Sequence, residues 1–307
     1  MVFRGFLYFC GKLFAMKLIV DSGSTKMDWI LLDGGTIKNR FTTEGFNPNY
    51  SDIQDFENTI SLVETRLIAS PYDESLSSRR DKSASLQSIH YYGTGCGIEH
   101  NCQLIKKVFQ SRFPNAEITV THDLMGACHA LLGHENGIAC ILGTGSNACV
   151  YDGENIIERA VSLGYLLGDE GSGMHIGREV VKAYFYGFMP ENLRQQFNET
   201  YHLELKDFIR QLYHNEQPSK YLASFAKFAG EHQDHPFIHD LVKACFNAFI
   251  EASVLRFKDS KSLNISFIGS VAYHFQDILK ECIKSHGLTM GEVMVTPMEG
   301  LIRYYNS

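Results

Sequence analysis

Two short turns built from small and hydroxyl residues, with carboxylates beside them, are the places where this sequence could do chemistry. The first is Asp21-Ser22-Gly23-Ser24-Thr25-Lys26, set between strand-like runs at residues 17–20 and 28–33. A hairpin turn of this composition can aim backbone N–H groups and the Ser24 and Thr25 hydroxyls into one concavity, an anion cradle. Asp21, at the end of a buried strand, suits a turn that faces a cation; an ordinary glycine-containing hairpin is the bland alternative. The second turn, Leu142-Gly143-Thr144-Gly145-Ser146-Asn147, again lies between two strand-like runs. Two such turns in matching positions can grip the phosphates of a nucleotide, and positioning with electrostatics does most of the work of phosphoryl transfer.

Three further segments carry candidate groups. Thr121-His122-Asp123 stands at a strand-to-helix junction. Asp123 there is either the N-cap of a helix over residues 124–132 or a general base that takes the proton of an attacking hydroxyl, and spacing leaves both open. His122 is read only as its neighbour. Leu167-Gly168-Asp169-Glu170-Gly171-Ser172-Gly173 puts two acids into a glycine cluster, a composition that allows close backbone approach to a ligand. Ile268-Gly269-Ser270-Val271-Ala272 follows a strand and opens a helix, where a nucleotide or a plain tight turn fits equally.

The elements that must position these groups emerge from apolar periodicity. A hairpin from residues 17–20 and 28–33, closed by Gly34-Gly35, opens the fold. Ile53, Phe56, Ile60, Val63 and Leu67 recur at three- and four-residue steps and predict a helix over 53–69. A Ser- and charge-rich loop is expected over 70–88, then a strand at 89–92, a helix at 101–113 and a strand at 117–121. The order repeats in outline: strands at 138–142 and 148–152, a glycine-rich segment at 164–177 and a helix at 178–188. Mostly helical patterns fill 190–262, including one at 237–257. A strand at 264–268, a helix at 273–285, a strand at 292–295 and a helix at 298–305 complete the chain. This alternation predicts layered α/β structure in two lobes.

Composition bounds the rest. The length of 307 residues suits two domains of ordinary size, and the net charge of −7 disfavours nucleic-acid binding through a broad basic face. Eight cysteines at positions 10, 96, 102, 128, 140, 149, 245 and 282 include no C-x-x-C pair, so reduced, packed thiols are expected. No segment reads as a membrane span. Residues 1–15 hold a short apolar run broken by Gly11 and Lys12, ahead of Met16, and are expected to be a dispensable extension from an upstream start codon, with a short surface helix as the alternative.

The five segments, in this order, resemble the actin-like ATPase superfold and, within it, the N-acetylglucosamine kinase and BadF/BadG-type ATPase family, from about Met16 to the C-terminus. The resemblance implies two ribonuclease H-like α/β lobes with an interdomain cleft, divided as 16–122 with a C-terminal helix at 297–307, and 123–296. D-S-G-S-T-K is similar to the family's first phosphate turn (Asp21, Gly23, Ser24, Thr25, Lys26) and L-G-T-G-S-N to its second (Gly143, Thr144, Gly145). Gly269 and Ser270 match its adenosine segment. ATP and Mg²⁺ are implied, with Asp21 placing the metal. The family's catalytic base falls on Asp123, which also contacts the sugar. Gly45-Phe46-Asn47-Pro48-Asn49-Tyr50 is similar to its sugar segment, with Asn49 the better match and Asn47 the other candidate; Thr144, Gly145, Ser146 and Asp169 fall where the family meets the sugar. The resemblance thus implies an ATP-dependent kinase acting on the 6-hydroxyl of an amino sugar, N-acetylglucosamine first, in a cytoplasmic homodimer. Two alternatives stay open: a BadF-type ATPase that activates a partner, and a non-catalytic sugar sensor. BadF-type activators carry cysteines in cluster-binding positions, whereas Cys96 in G-T-G-C-G lacks a matching partner motif, which favours the kinase branch.

Overall fold

A computed structural model describes residues 16–68, 86–215 and 217–307. The chain divides into two compact units: one ends at Asp123 and also takes Asn306, the other comprises Leu124–Tyr305 with Ser307. In the first unit β1 (Met16–Ser22), β2 (Lys26–Asp33) and β3 (Thr36–Glu44) form an antiparallel meander, and β4 (Leu86–Gly93) and β5 (Glu117–His122) extend it in parallel, in the order β3-β2-β1-β4-β5. The strand β1 is central because Leu18, Ile19 and Val20 are consecutive and all fully buried, the pattern of a strand covered on both faces. Helix α1 (Ile53–Ile68) presents Phe56, Ile60 and Val63 to the core, and α2 (Glu99–Arg112) presents Ile105 and Phe109. Phe56, Tyr91 and Phe109 meet edge to face with centroids 5.5–5.8 Å apart. The buried Trp29 keeps its indole N–H satisfied by donating to Thr43 Oγ1 at 2.9 Å.

The second unit opens with α3, whose range Asp123–Leu132 begins on the last residue of the first. Its sheet has β6 (Gly137–Leu142), β7 (Ser146–Tyr151) and β8 (Ile156–Arg159) as the meander and β9 (Asn264–Ile268) and β10 (Thr289–Met294) in parallel, in the order β10-β9-β6-β7-β8. Read from β8, that is the order of the first sheet, so the duplication expected from the two hairpin turns extends to every strand. Between β8 and β9 lie α4 (Gly164–Leu167), α5 (Gly173–Phe185), α6 (Glu191–Tyr201), α7 (Leu205–His214), α8 (Pro218–Ser224), α9 (Ala226–Glu231) and α10 (Pro236–Ala252). They bury Phe197, Phe228, Phe246 and Phe249. Helices α11 (Ser270–His274) and α12 (Gln276–Ser285) flank β10, and α13 (Met298–Asn306) ends the chain.

Several expectations shift. The strands β3 and β8 were not foreseen. The helix expected at 178–188 starts at Gly173, because Ser172 caps it inside the glycine cluster. The helix expected at 273–285 is two, broken at Phe275, and β10 starts at Thr289 instead of 292. The loop expected through 88 gives way to β4 at Leu86; its earlier part, and residues 1–15, lie outside the described residues. The terminal helix, expected in the first lobe, is grouped with the second unit over Met298–Tyr305. There Arg303 donates to Glu292 at 3.0 Å and Tyr304 stacks on His129 at 4.1 Å. All seven cysteines from Cys96 onward are free thiols. No helix among the described residues is long and apolar enough to cross a membrane.

Candidate active site

The turn between β1 and β2 is held from three sides. Gly23 N–H donates to the Lys26 carbonyl at 3.0 Å, Gly45 N–H to the Thr25 carbonyl at 3.1 Å and Thr94 N–H to the Ser22 carbonyl at 2.9 Å. The buried Ser22 hydroxyl donates to the Phe46 carbonyl at 3.2 Å. A Cβ on Gly45 would collide with the Gly23 carbonyl and with the Ser24 and Lys26 backbone, so only glycine lets the segment after β3 lie this close to the turn. These bonds leave Ser24, Thr25 and Lys26 exposed at the tip. The Lys26 ammonium pairs with Asp28 at 2.7 Å, and Asp28 also accepts from the Thr42 hydroxyl at 2.8 Å. Lys26, expected to face a phosphate, is thus engaged by a strand neighbour.

Asp21 stands on β1 in register with Asp28 on β2 and Tyr92 on β4, and Tyr92 in turn with Thr121 on β5. Burial, followed by the charges of Asp123 and Asp28, raises the Asp21 carboxyl to about 7, against a smaller pull downward from Lys26. Neighbouring like charges disfavour full ionisation, which is how carboxylates near one another come to titrate high. Asp123 comes directly after β5, half-buried, as the first residue of α3. Its charge also adds to burial in holding the Tyr91 and Cys96 protons on. Asp21, Asp123, Tyr91 and Cys96 therefore share one neighbourhood near the carboxyl ends of three parallel strands, where open α/β sheets place their ligands.

Beside it lies the asparagine loop. Asn47, buried, accepts the Asn49 N–H at 3.0 Å through Oδ1 and donates through Nδ2 to Ser24 Oγ at 3.4 Å. The exposed Asn49 accepts through Oδ1 from Asn101 Nδ2 at 2.9 Å, and the same Nδ2 donates to the Gly95 carbonyl at 2.8 Å. Gly95 has a φ of +77°, and a Cβ there would press on Asn47, Pro48 and Asn49. Asn101 and Gly95 were missed by sequence reasoning. Nothing in the spacing of Asn101, a polar residue in the first turn of a helix, ties it to the loop.

In the second unit the turn between β6 and β7 is anchored to a helix start. Gly173 N–H donates to the Gly143 carbonyl at 2.8 Å and Met174 N–H to the Thr144 carbonyl at 3.2 Å, which satisfies two of the orphan donors of α5. Asp169 accepts the Ser146 N–H at 3.1 Å and sits at φ 57°, a left-handed conformation uncommon outside glycine and tolerated best by Asp and Asn. Burial outweighs that hydrogen bond and raises its pKa, with Glu170 adding to the rise. Gly171 N–H donates to His175 Nδ1 at 3.0 Å, and burial, then Arg178, keeps that ring neutral. Gly269 (φ 123°) comes so close to the Leu142 carbonyl that a Cβ would collide with it, which holds Gly269 and Ser270 against the end of β6. The predicted residues Gly143, Thr144, Gly145, Ser146, Asp169, Gly269 and Ser270 are therefore one cluster within this unit.

The Ser172 side chain caps α5 by accepting His175 N–H at 3.2 Å. Ser172→Ala is expected to cost about 1 kcal/mol in a denaturation midpoint and to loosen the Asp169 loop, read as faster hydrogen exchange at Gly171 and Ser172.

No protein-family model matches the chain, and no curated protein does. Solved structures do. A "putative N-acetylglucosamine kinase" from Porphyromonas gingivalis is 39% identical over 95% of this chain and 99% of its own, with a TM-score of 0.85. A second protein of the same description, from Chromobacterium violaceum, covers the same shares at 17% identity and a TM-score of 0.70. A ROK-family transcriptional regulator, homologous to the MLC protein of E. coli, matches 95% of this chain and 78% of its own at 14% identity and a TM-score of 0.59. The last two show likeness of fold alone. With two units of one strand order, a glycine turn after the first strand of each, and 39% identity across nearly its whole length to the first of these structures, the chain belongs to the N-acetylglucosamine kinase family of the actin-like ATPase superfold.

Proposed function

We propose that this chain is an ATP-dependent kinase that phosphorylates the 6-hydroxyl of an amino sugar, N-acetylglucosamine being the first candidate. The observation that carries the reading is the carboxylate pair Asp21 and Asp123 beside a turn of exposed hydroxyls, in a chain 39% identical to a protein described as a "putative N-acetylglucosamine kinase". Asp123 is the base: its carboxylate accepts the proton of the attacking hydroxyl. Ser24 and Thr25, with the tip amides of their turn, bind phosphate oxygens, as do the amides of Gly143, Thr144 and Gly145. Gly269 and Ser270 flank the adenosine. Asn49 and Asp169 hydrogen-bond sugar hydroxyls, with Thr144, Gly145 and Ser146 in support.

The residues fit Mg²⁺ bound together with a nucleotide. No group of three His, Cys, Asp or Glu side chains among the described residues is arranged to hold a metal. Mg²⁺ instead keeps several waters and takes one or two carboxylates plus phosphate oxygens, and the raised pKa of Asp21 suits a nearby cation. When bound, the metal neutralises charge on the phosphates; Asp21 would hold its water shell.

The test is ADP release with Mg²⁺ and ATP over a panel of hexoses and amino sugars, with the product located by NMR. An amino sugar 6-phosphate is expected, and the 6-deoxy sugar should bind without turnover. ADP release that needs no sugar, or sugar binding with no phosphorylated product, overturns the assignment.

A further inference from the structure

Hydrogen-bond direction within the asparagine loop can be assigned, because backbone groups fix it. The Gly95 carbonyl can only accept, so the Asn101 atom 2.8 Å from it is the amide nitrogen. That nitrogen also reaches Asn49 at 2.9 Å, so the Asn49 atom facing it must be the oxygen. The Asn49 backbone N–H can only donate, so Asn47 turns its own oxygen toward Asn49 and its nitrogen toward Ser24 of the phosphate turn. The two side chains that set these directions, Asn47 and Asn101, are buried; Asn49 is exposed.

We propose that Asn101 is a positioning residue that locks the Asn49 amide with its oxygen toward Asn101, which leaves the Asn49 nitrogen to offer substrate a hydrogen-bond donor. This rests on the kinase reading above and deepens it. Asn101 touches no substrate; it acts through Asn49. In the kinase reading Asp123 supplies an acceptor to the attacking hydroxyl, so that acceptor and the Asn49 donor together select a ligand with several hydroxyls, each able to give one hydrogen bond and take another. A misoriented Asn49 would set oxygen against hydroxyl oxygen whenever the hydroxyl proton is committed to a carboxylate. Through Asn47 and Ser24 the same chain of amides reaches the phosphate turn, so the donor is fixed relative to the groups that hold the phosphates in the first unit.

Asn101→Ala and Asn101→Asp test this in the full chain. Asp keeps the size but has no donor when ionised, so Asn49 is expected to flip its nitrogen inward to meet it. Both variants should raise the KM for sugar about tenfold, the loss of one neutral hydrogen bond, and leave kcat and the KM for ATP within about twofold. In an Asn49→Ala background either change should add nothing further to the sugar KM, because the residue it acts through is gone. Unchanged sugar KM in both variants, or additive effects in that background, overturns the role of Asn101. A parallel fall of kcat, ATP affinity and melting temperature in both variants marks a purely structural residue and overturns it too. Failure of the unaltered chain to phosphorylate any sugar overturns the kinase reading first, and this proposal with it.

Discussion

Asp123→Asn is expected to lower kcat by about 10²–10⁴, the range typical of a general acid–base group, with the sugar KM changed no more than a few-fold. The substitution keeps volume and polarity and removes the negative charge together with the ability to accept a proton. It also separates the two readings that spacing left open. Asn serves a helix start as well as Asp does, so if Asp123 merely began α3, the variant would melt normally and turn over normally. A normal melting temperature with collapsed turnover identifies the base, and retained turnover removes Asp123 from that role. A second signature comes from its effect on Asp21. The Asp123 charge helps hold the Asp21 proton on, so Asp21 should titrate at lower pH in the variant, visible by NMR of the labelled carboxyl.

Asp21→Asn is expected to make the ligand-free protein more stable at neutral pH and inactive at once. The Asp21 carboxyl is raised to about 7, above the ordinary value near 3.8 that it has in the unfolded chain. A group raised on folding contributes stability that is fully present below its unfolded pKa and is lost as pH rises through its folded pKa. Between about pH 4 and pH 7 the wild type should therefore lose stability that the variant keeps, on the order of 4 kcal/mol by linkage. Urea midpoints at pH 4, 6 and 8 read the difference, which should vanish at the acid end. Adding Mg²⁺ and ATP should stabilise the wild type at pH 8 and leave the variant nearly unmoved. A variant less stable than wild type at pH 8 would show that the carboxylate braces the hairpin, the bland reading of this residue.

The sequence was informative where local pattern and local chemistry agree. Leu18, Ile19 and Val20, and the Phe56, Ile60, Val63 steps, announce a buried strand and an amphipathic helix because a continuous apolar run and a three- and four-residue period are both local patterns. The strand β3 was illegible because Thr-Ile-Lys-Asn-Arg-Phe-Thr-Thr-Glu lies at a sheet edge and is nowhere fully buried, so its alternation is too polar to register. At four residues, β8 is too short for any period. Of the candidate residues, Asp21 and Asp123 were found by type and position at strand ends. That they share one electrostatic neighbourhood depends on β1, β4 and β5 lying side by side, a parallel pairing that no short window of sequence contains. Asn101 was invisible for the same reason: its partners, Asn49 and Gly95, are reached only through the tertiary fold.

The shared strand order of the two sheets also sets a timetable for folding. Each meander is made of neighbours in sequence and can form quickly, but each sheet is complete only when its first strand captures a distant parallel partner. In the first unit β1 must find β4 across the chain between Ser22 and Leu86; in the second, β6 must find β9 across the far longer stretch from Leu142 to Asn264. Loop-closure entropy and contact order both make the second search slower, and the first unit leaves the ribosome earlier. Pulse-labelled hydrogen exchange during refolding should therefore protect the amides of β1 and β4 before those of β6 and β9. The reverse order would mean that the helices between β8 and β9 condense early enough to shorten the effective loop.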